Sequence, residues 1–127
     1  MQKGIWNGQR LLPESWIAEA TRKQVPNEQE SHAKMGPDWT QGYGFQFWRC
    51  THNAYRADGA GGQFCVVMPD QDMVVALTAG RANMQAQLDA IWNHLLPACR
   101  PQALPEDAVA QGKLKDAVGK LAVHPPQ

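Results

Sequence analysis

The sequence predicts an α+β fold: an antiparallel three-stranded meander with flanking helices. Three observations carry this. Apolar or aromatic runs at residues 42–48, at 54–57 resuming at 64–68, and at 73–78 are separated by short turn signals, which suits hairpin connections. Met84, Leu88, Ile91, Trp92 and Leu95 recur at helical spacing and form a face able to cover one side of a sheet. A chain of 127 residues with 43% hydrophobic content is long enough for one core.

In chain order, residues 1–12 read as a surface segment with a turn at Asn7-Gly8. Pro13 suits the first turn of a helix, and Glu14 favours its positive end. Trp16, Ile17 and Ala20 give that helix an apolar face, and it ends at about residues 22–24, before Val25-Pro26. Residues 26–41 are polar and irregular and read as a long loop, with Trp39 as its packing anchor. The first strand places Tyr43, Phe45 and Phe47 on one face, Gln46 and Trp48 on the other. Thr51-His52-Asn53 turns the chain into the second strand, which the glycine cluster at 59–62 interrupts. Pro69-Asp70-Gln71-Asp72 is a further turn. The 73–78 strand is apolar throughout, which predicts a central position. Asn83 is a good helix N-cap and Pro97 a stop. Beyond Arg100, Pro101 and Pro105 mark a linker, Leu114, Val118 and Leu121 a short amphipathic helix, and residues 123–127 an extended segment.

Composition excludes several classes. Formal net charge is +0 and the isoelectric point is about 6.9, so there is no basic stripe for nucleic acid and no electrostatic membrane anchor. No apolar run is long enough to span a bilayer, and the N-terminus lacks the apolar core of a signal peptide. The expectation is a soluble cytoplasmic or periplasmic chain. Cys50, Cys65 and Cys99 form no C-x-x-C pair, and Cys65, within an apolar strand, reads as a small core residue.

The stretch that organises the chain is Ala57-Asp58-Gly59-Ala60-Gly61-Gly62-Gln63. Its glycines allow positive φ and close approach of a second molecule. Local composition favours a hairpin corner that merely turns the chain; the alternative is the rim of a cleft where a backbone N–H meets an oxyanion. Asp58 is read as a turn residue or a substrate contact. The cluster is neither a P-loop nor a dinucleotide fingerprint, because no lysine follows it and a strand rather than a helix does. Ser31-His32-Ala33-Lys34 matches S-x-x-K, but its polar, loop-like flanks leave the lysine unburied and unable to serve as a base, so the match is read as accidental. His32, His52, His94 and His124 lack zinc-site spacing, and neither a metal nor a cofactor is expected. The inventory thus holds a candidate oxyanion donor without a nucleophile or general base.

The order of motifs resembles the serine β-lactamase and penicillin-binding-protein-like superfamily, in its class-C-like esterase branch. The resemblance rests on Leu11-Leu12-Pro13-Glu14-Ser15-Trp16, Gly42-Tyr43-Gly44-Phe45, Asp58-Gly59-Ala60-Gly61-Gly62-Gln63-Phe64, Pro69, Met73-Val74-Val75-Ala76-Leu77, and the closing helix through Trp92 and Leu95. It implies that residues 1–98 are the C-terminal portion of such a catalytic domain, and that 99–127 form a linker and short amphipathic tail. In that family a five-stranded antiparallel sheet, flanked by helices, joins a helical region, and S-x-x-K, tyrosine and K-T-G or H-x-G motifs meet in the cleft. By resemblance Ala57-Asp58-Gly59 stands at the third motif, with Ala57 in place of its lysine or histidine. The Ala60 N–H would be one of two oxyanion donors, and Ala57, Asp58, Gly59, Gly61, Gly62 and Gln63 would line the substrate. The implied ligand is a small ester, amide or β-lactam-like molecule. The implied partner is the missing N-terminal half of the domain, which carries the serine, so the chain alone would be inactive. The alternative is a non-catalytic binding or assembly module. A sheet that has lost part of its cover is expected to self-associate.

Overall fold

The computed structural model describes residues 3–122. The N-terminal segment holds more order than a plain surface stretch. Asn7 and Gly8 both take positive φ, 48° and 76°, the backbone of a two-residue hairpin turn whose twist matches its strands. They join β1 (Ile5–Trp6) to β2 (Gln9–Arg10), with Ile5 opposite Arg10. Helix α1 (Glu14–Thr21) follows, its first turn closed by the Pro13 carbonyl, which accepts from the Trp16 and Ile17 N–H groups, and its entry tied by a Lys3–Glu14 ion pair of 2.8 Å. The predicted long loop is broken by α2 (Glu30–Ala33) and by a 3-10 turn at Pro37–Trp39. Trp39 is buried, as a packing anchor should be.

The sheet is antiparallel, but it has four strands rather than three: β3 (Trp48–Arg49), β4 (Tyr55–Gly59), β5 (Gln63–Met68) and β6 (Met73–Leu77), in that spatial order. Two corrections account for the difference. Residues 42–48 are not one strand. Gln46 sits at φ 65°, and the chain reverses there. Tyr43 bridges to Trp48, the Gly44 N–H donates to the Phe47 carbonyl at 2.7 Å, and only Trp48 and Arg49 join the sheet. Nor does the glycine cluster interrupt a single strand. It is a hairpin corner between two strands paired from Tyr55↔Val67 to Gly59↔Gln63.

The pleat sorts the side chains. Arg56, Phe64, Val66 and Met68 point to the covered face, where α3 (Gln85–Ala90) and its continuation through a wide turn at Ile91–Leu95 close the core. Val66, Met68 and Leu88 are fully buried, and each contributes about 1.5–3 kcal/mol. Asn83 caps α3 as expected, accepting from the Ala86 N–H. The opposite face carries Ala57, Cys65 and Ala76 in one cross-strand row, all exposed. Cys65 is therefore a surface thiol, not a core residue: strand alternation puts it opposite in sense to Phe64 and Val66. Strand β6 is likewise not central. It is the free edge, and Val74 remains 57% exposed. Its unbroken apolar run reflects one half-buried face, Met73, Val75 and Leu77, and one exposed face, not two buried ones.

The C-terminal helix α4 (Ala108–Gly119) forms as expected and is capped by Asp107, whose carboxylate accepts from the Ala110 N–H at 2.8 Å. Its apolar side chains stay exposed, Leu114 at 66%. The extended segment expected at 123–127 lies outside the described residues. Among the described residues no helix is long and apolar enough to cross a membrane.

Candidate functional site

The glycine corner is built from both sides. Gly61 and Gly62 take φ of 80° and 93°, values costly for any residue with a Cβ. The Gly62 N–H closes the turn onto the Gly59 carbonyl at 3.2 Å, and the Arg81 N–H donates to the Gly61 carbonyl at 2.9 Å. The Gln63 amide donates to the Ala79 carbonyl, pinning the corner to the segment that follows β6. Behind it, the Gln87 carboxamide packs so closely on Gly62 that a Cβ there would overlap it. Both polar atoms of that carboxamide are buried without a hydrogen-bond partner among the described residues. Residues 79–87 thus fix the corner, and Ala60 is left at its exposed tip. The bonds that hold the turn run from Gly62 and Arg81, and the Ala60 N–H is in none of them.

Strand β4 is open beside this tip. It pairs with β5 along its whole length, but β3 reaches only Tyr55 and Arg56. Among the described residues no strand pairs with 57–59 on that side. Ala57, Asp58, Gly59 and Gln63 also border a shallow concavity of about 400 Å³ over the bare sheet face, together with Cys65, Ala76 and Thr78. Ala60, Gly61 and Gly62 do not border it. The expected site residues therefore divide into a β4 group beside the concavity and a corner group at its end.

Asp58 does not present its carboxylate to a ligand. It points to the covered face and accepts from Arg56 Nε at 2.8 Å, with its side chain 10% exposed. Arg56 is wholly buried, lies 4.4 Å from the Trp39 ring centroid, and donates through Nη1 to the Asp38 carbonyl and the Cys50 sulfur. A buried guanidinium needs such a counterion, so Asp58 is bound to a structural task.

The most connected polar group is one that sequence did not single out. Asp38 is fully buried. Its Oδ1 accepts from the Thr51 N–H and hydroxyl, both at 2.8 Å; its Oδ2 accepts from Gln85 Nε2 at 2.7 Å and Trp92 Nε1 at 2.8 Å. Burial pushes its pKa up, but the donors from Gln85, Trp92 and Thr51 together outweigh burial and hold it below the usual aspartate value. The carboxylate locks the loop before the sheet to α3. Nothing in Pro37-Asp38-Trp39 marks this role, because its partners lie 13 to 54 positions away.

The nucleophile inventory is thin. Ser31 is exposed on the four-residue helix α2, and Lys34 is paired with Glu30 at 2.7 Å with its side chain 73% exposed. The two do not form a buried serine–lysine pair. The Cys50 thiol is pushed up to about 11 by burial, against the opposing pull of Arg56, which suits a packing residue and not a thiolate. Among the described residues no group of three or more histidines, cysteines or carboxylates could hold a metal. The chain matches no family model, and no curated protein shows significant sequence similarity to it.

Proposed function

We propose that this chain supplies the third-motif strand and an oxyanion-binding amide to a β-lactamase-like serine hydrolase centre, whose nucleophile comes from other polypeptide. The observation that carries this reading is the open edge of β4 at 57–59, running into an exposed Ala60 whose N–H is spared by the bonds that hold the corner. A substrate acyl group laid along that edge could direct its carbonyl oxygen at the Ala60 N–H, and a fixed amide dipole there would favour the developing oxyanion. Pre-organisation is supplied by Arg81, Gln63 and Gln87, which hold the corner from behind. Ala57 contributes no charge, so recognition along this strand falls to backbone groups, and Asp58 acts only through Arg56. The exposed Ala57-Cys65-Ala76 row of the outer sheet face and the free β6 edge support a fold that another segment completes.

The test has two parts. The purified chain is expected to turn over neither nitrocefin nor p-nitrophenyl acetate, and Ser31→Ala is expected to change nothing. The reading frame upstream of the Met1 codon is expected to encode S-x-x-K at a helix start, and co-expression of that region should generate hydrolysis that Ala60→Pro, which lacks the N–H, abolishes. Turnover by the chain alone that is lost on Ser31→Ala would overturn the reading.

The exposed Ala60 amide without a serine also favours a second reading, a module that binds such ligands without consuming them. Amide shifts at Ala60 and Gly61 on addition of benzylpenicillin, with the ligand recovered intact, would distinguish it.

A further inference from the structure

The segment after α2 and the start of α3 line a second cleft, of about 500 Å³, which lies within the size range of small-molecule sites. No residue of the glycine corner borders it. Met35, Trp39 and Met84 give it apolar surface, and Lys34, Asn83 and Asp89 give it polar groups. Trp39 is buried, whereas Met35 keeps 44% of its surface exposed, so the cleft is closed behind and open in front.

The polar groups are held by different means. Asp89 lies one turn beyond Gln85 on α3, so the two share a face. Gln85 is buried, and its Nε2 donates to Asp38 Oδ2 at 2.7 Å and to Asp89 Oδ1 at 2.9 Å. The interior network thus fixes one oxygen of Asp89, and the other has no hydrogen bond among the described residues. Asn83 Oδ1 accepts from the Ala86 N–H at 3.2 Å, which leaves its Nδ2 to donate elsewhere. Lys34 is held by Glu30 at 2.7 Å, but both side chains are exposed, and a pair of that kind is worth little.

An ammonium and a carboxylate therefore border one cleft without being paired to each other, beside two methionines and a tryptophan. A ligand of single charge would answer one group and meet the like charge of the other. A neutral apolar ligand would answer neither. A zwitterion with an apolar substituent answers both. We propose that this cleft binds a free α-amino acid with an apolar side chain. The ligand carboxylate accepts from Lys34 Nζ and Asn83 Nδ2, its ammonium donates to the open oxygen of Asp89, and its side chain lies against Met35, Met84 and Trp39. Methionine side chains are unbranched and fill irregular shapes, so the cleft takes several apolar side chains and not one alone. The inference does not depend on the hydrolase reading.

Isothermal titration of the full chain with L-leucine tests it. The expected dissociation constant is on the order of 1 mM, as suits a ligand of this size in a half-open cleft. N-acetyl-L-leucine lacks the ammonium and L-leucinamide lacks the carboxylate, and each is expected to bind about tenfold more weakly. Asp89→Asn keeps an oxygen for Gln85 and removes the charge, and Lys34→Gln removes the cation at an exposed position. Each variant is expected to weaken L-leucine about tenfold, with circular dichroism unchanged. If Asp89→Asn disturbs the fold, Lys34→Gln and the two blocked analogues decide alone. Amide shifts in an NMR titration are expected to centre on residues 34–39 and 83–89. No binding at concentrations well above the expected constant overturns the proposal. So does binding indifferent to both charge changes, equal binding of the blocked analogues, or shifts centred on the Ala57-Cys65-Ala76 row.

Discussion

Asp38 concentrates more structural consequence than any residue in the glycine stretch. Replacing it with alanine strands the buried Trp92 donor and removes one of two acceptors from Gln85 Nε2, which also donates to Asp89, while the part-buried Thr51 loses its acceptor. At about 1–3 kcal/mol for a buried group left unpaired, Asp38→Ala is expected to lose about 1–3 kcal/mol in urea denaturation. The acid limb follows from its lowered pKa. A carboxyl held below its unfolded value contributes fully above that value, about 3.9, and loses the contribution as pH falls through the folded value. Urea midpoints measured downward from pH 5 should therefore fall below about pH 4, and Asp38→Asn should flatten that limb. Gly62→Ala combines a positive φ with overlap on Gln87, and is expected to cost about 1–2 kcal/mol from the backbone alone. Adding Gln87→Ala should recover the overlap and not the backbone cost, as chemical denaturation would show. Iodoacetamide should label Cys65 in the folded chain and spare buried Cys50, readable by mass spectrometry; equal labelling would contradict the strand's sense.

Elements differ in how far local sequence decides them. The Asn7-Gly8 hairpin, the Pro13-led helix and the Asn83-capped helix follow from turn and capping chemistry within a few residues. The Gly42 to Trp48 stretch does not. Alternating aromatics read alike whether the chain runs straight or folds back at Phe45-Gln46, and only the bridge between Tyr43 and Trp48 decides. Helix α4 is decided by its own Asp107 cap, yet it buries nothing. A twelve-residue helix without tertiary support is marginal in water. Leu114→Asp is therefore expected to leave the unfolding free energy of the body within about 0.5 kcal/mol, by urea denaturation, while α4 amides exchange rapidly.

For the whole molecule, one sheet face is closed by α3, while the other is covered only at its Tyr55 end, where Phe47 packs, and is exposed along the Ala57-Cys65-Ala76 row. Beside that row the 57–59 edge of β4 is open to a ligand. The absence of turnover expected for the isolated chain belongs to this scale. The corner holds a dipole in place, but no described serine or cysteine combines exposure with a buried base beside it.

By itself the sequence determined the α+β class, the antiparallel sense, most turns and the helix that covers the sheet, because periodicity, capping and glycine placement act over a few residues. It also marked the glycine corner as the feature to watch. Tertiary structure alone decided the strand count, the edge position of β6, the exposure of Cys65 and the burial of Arg56 with Asp58. It alone also placed Asp38 at the centre of the interior network. Each of these depends on which distant segment lies across the chain. An alternating pattern specifies two faces, but not which one will be covered.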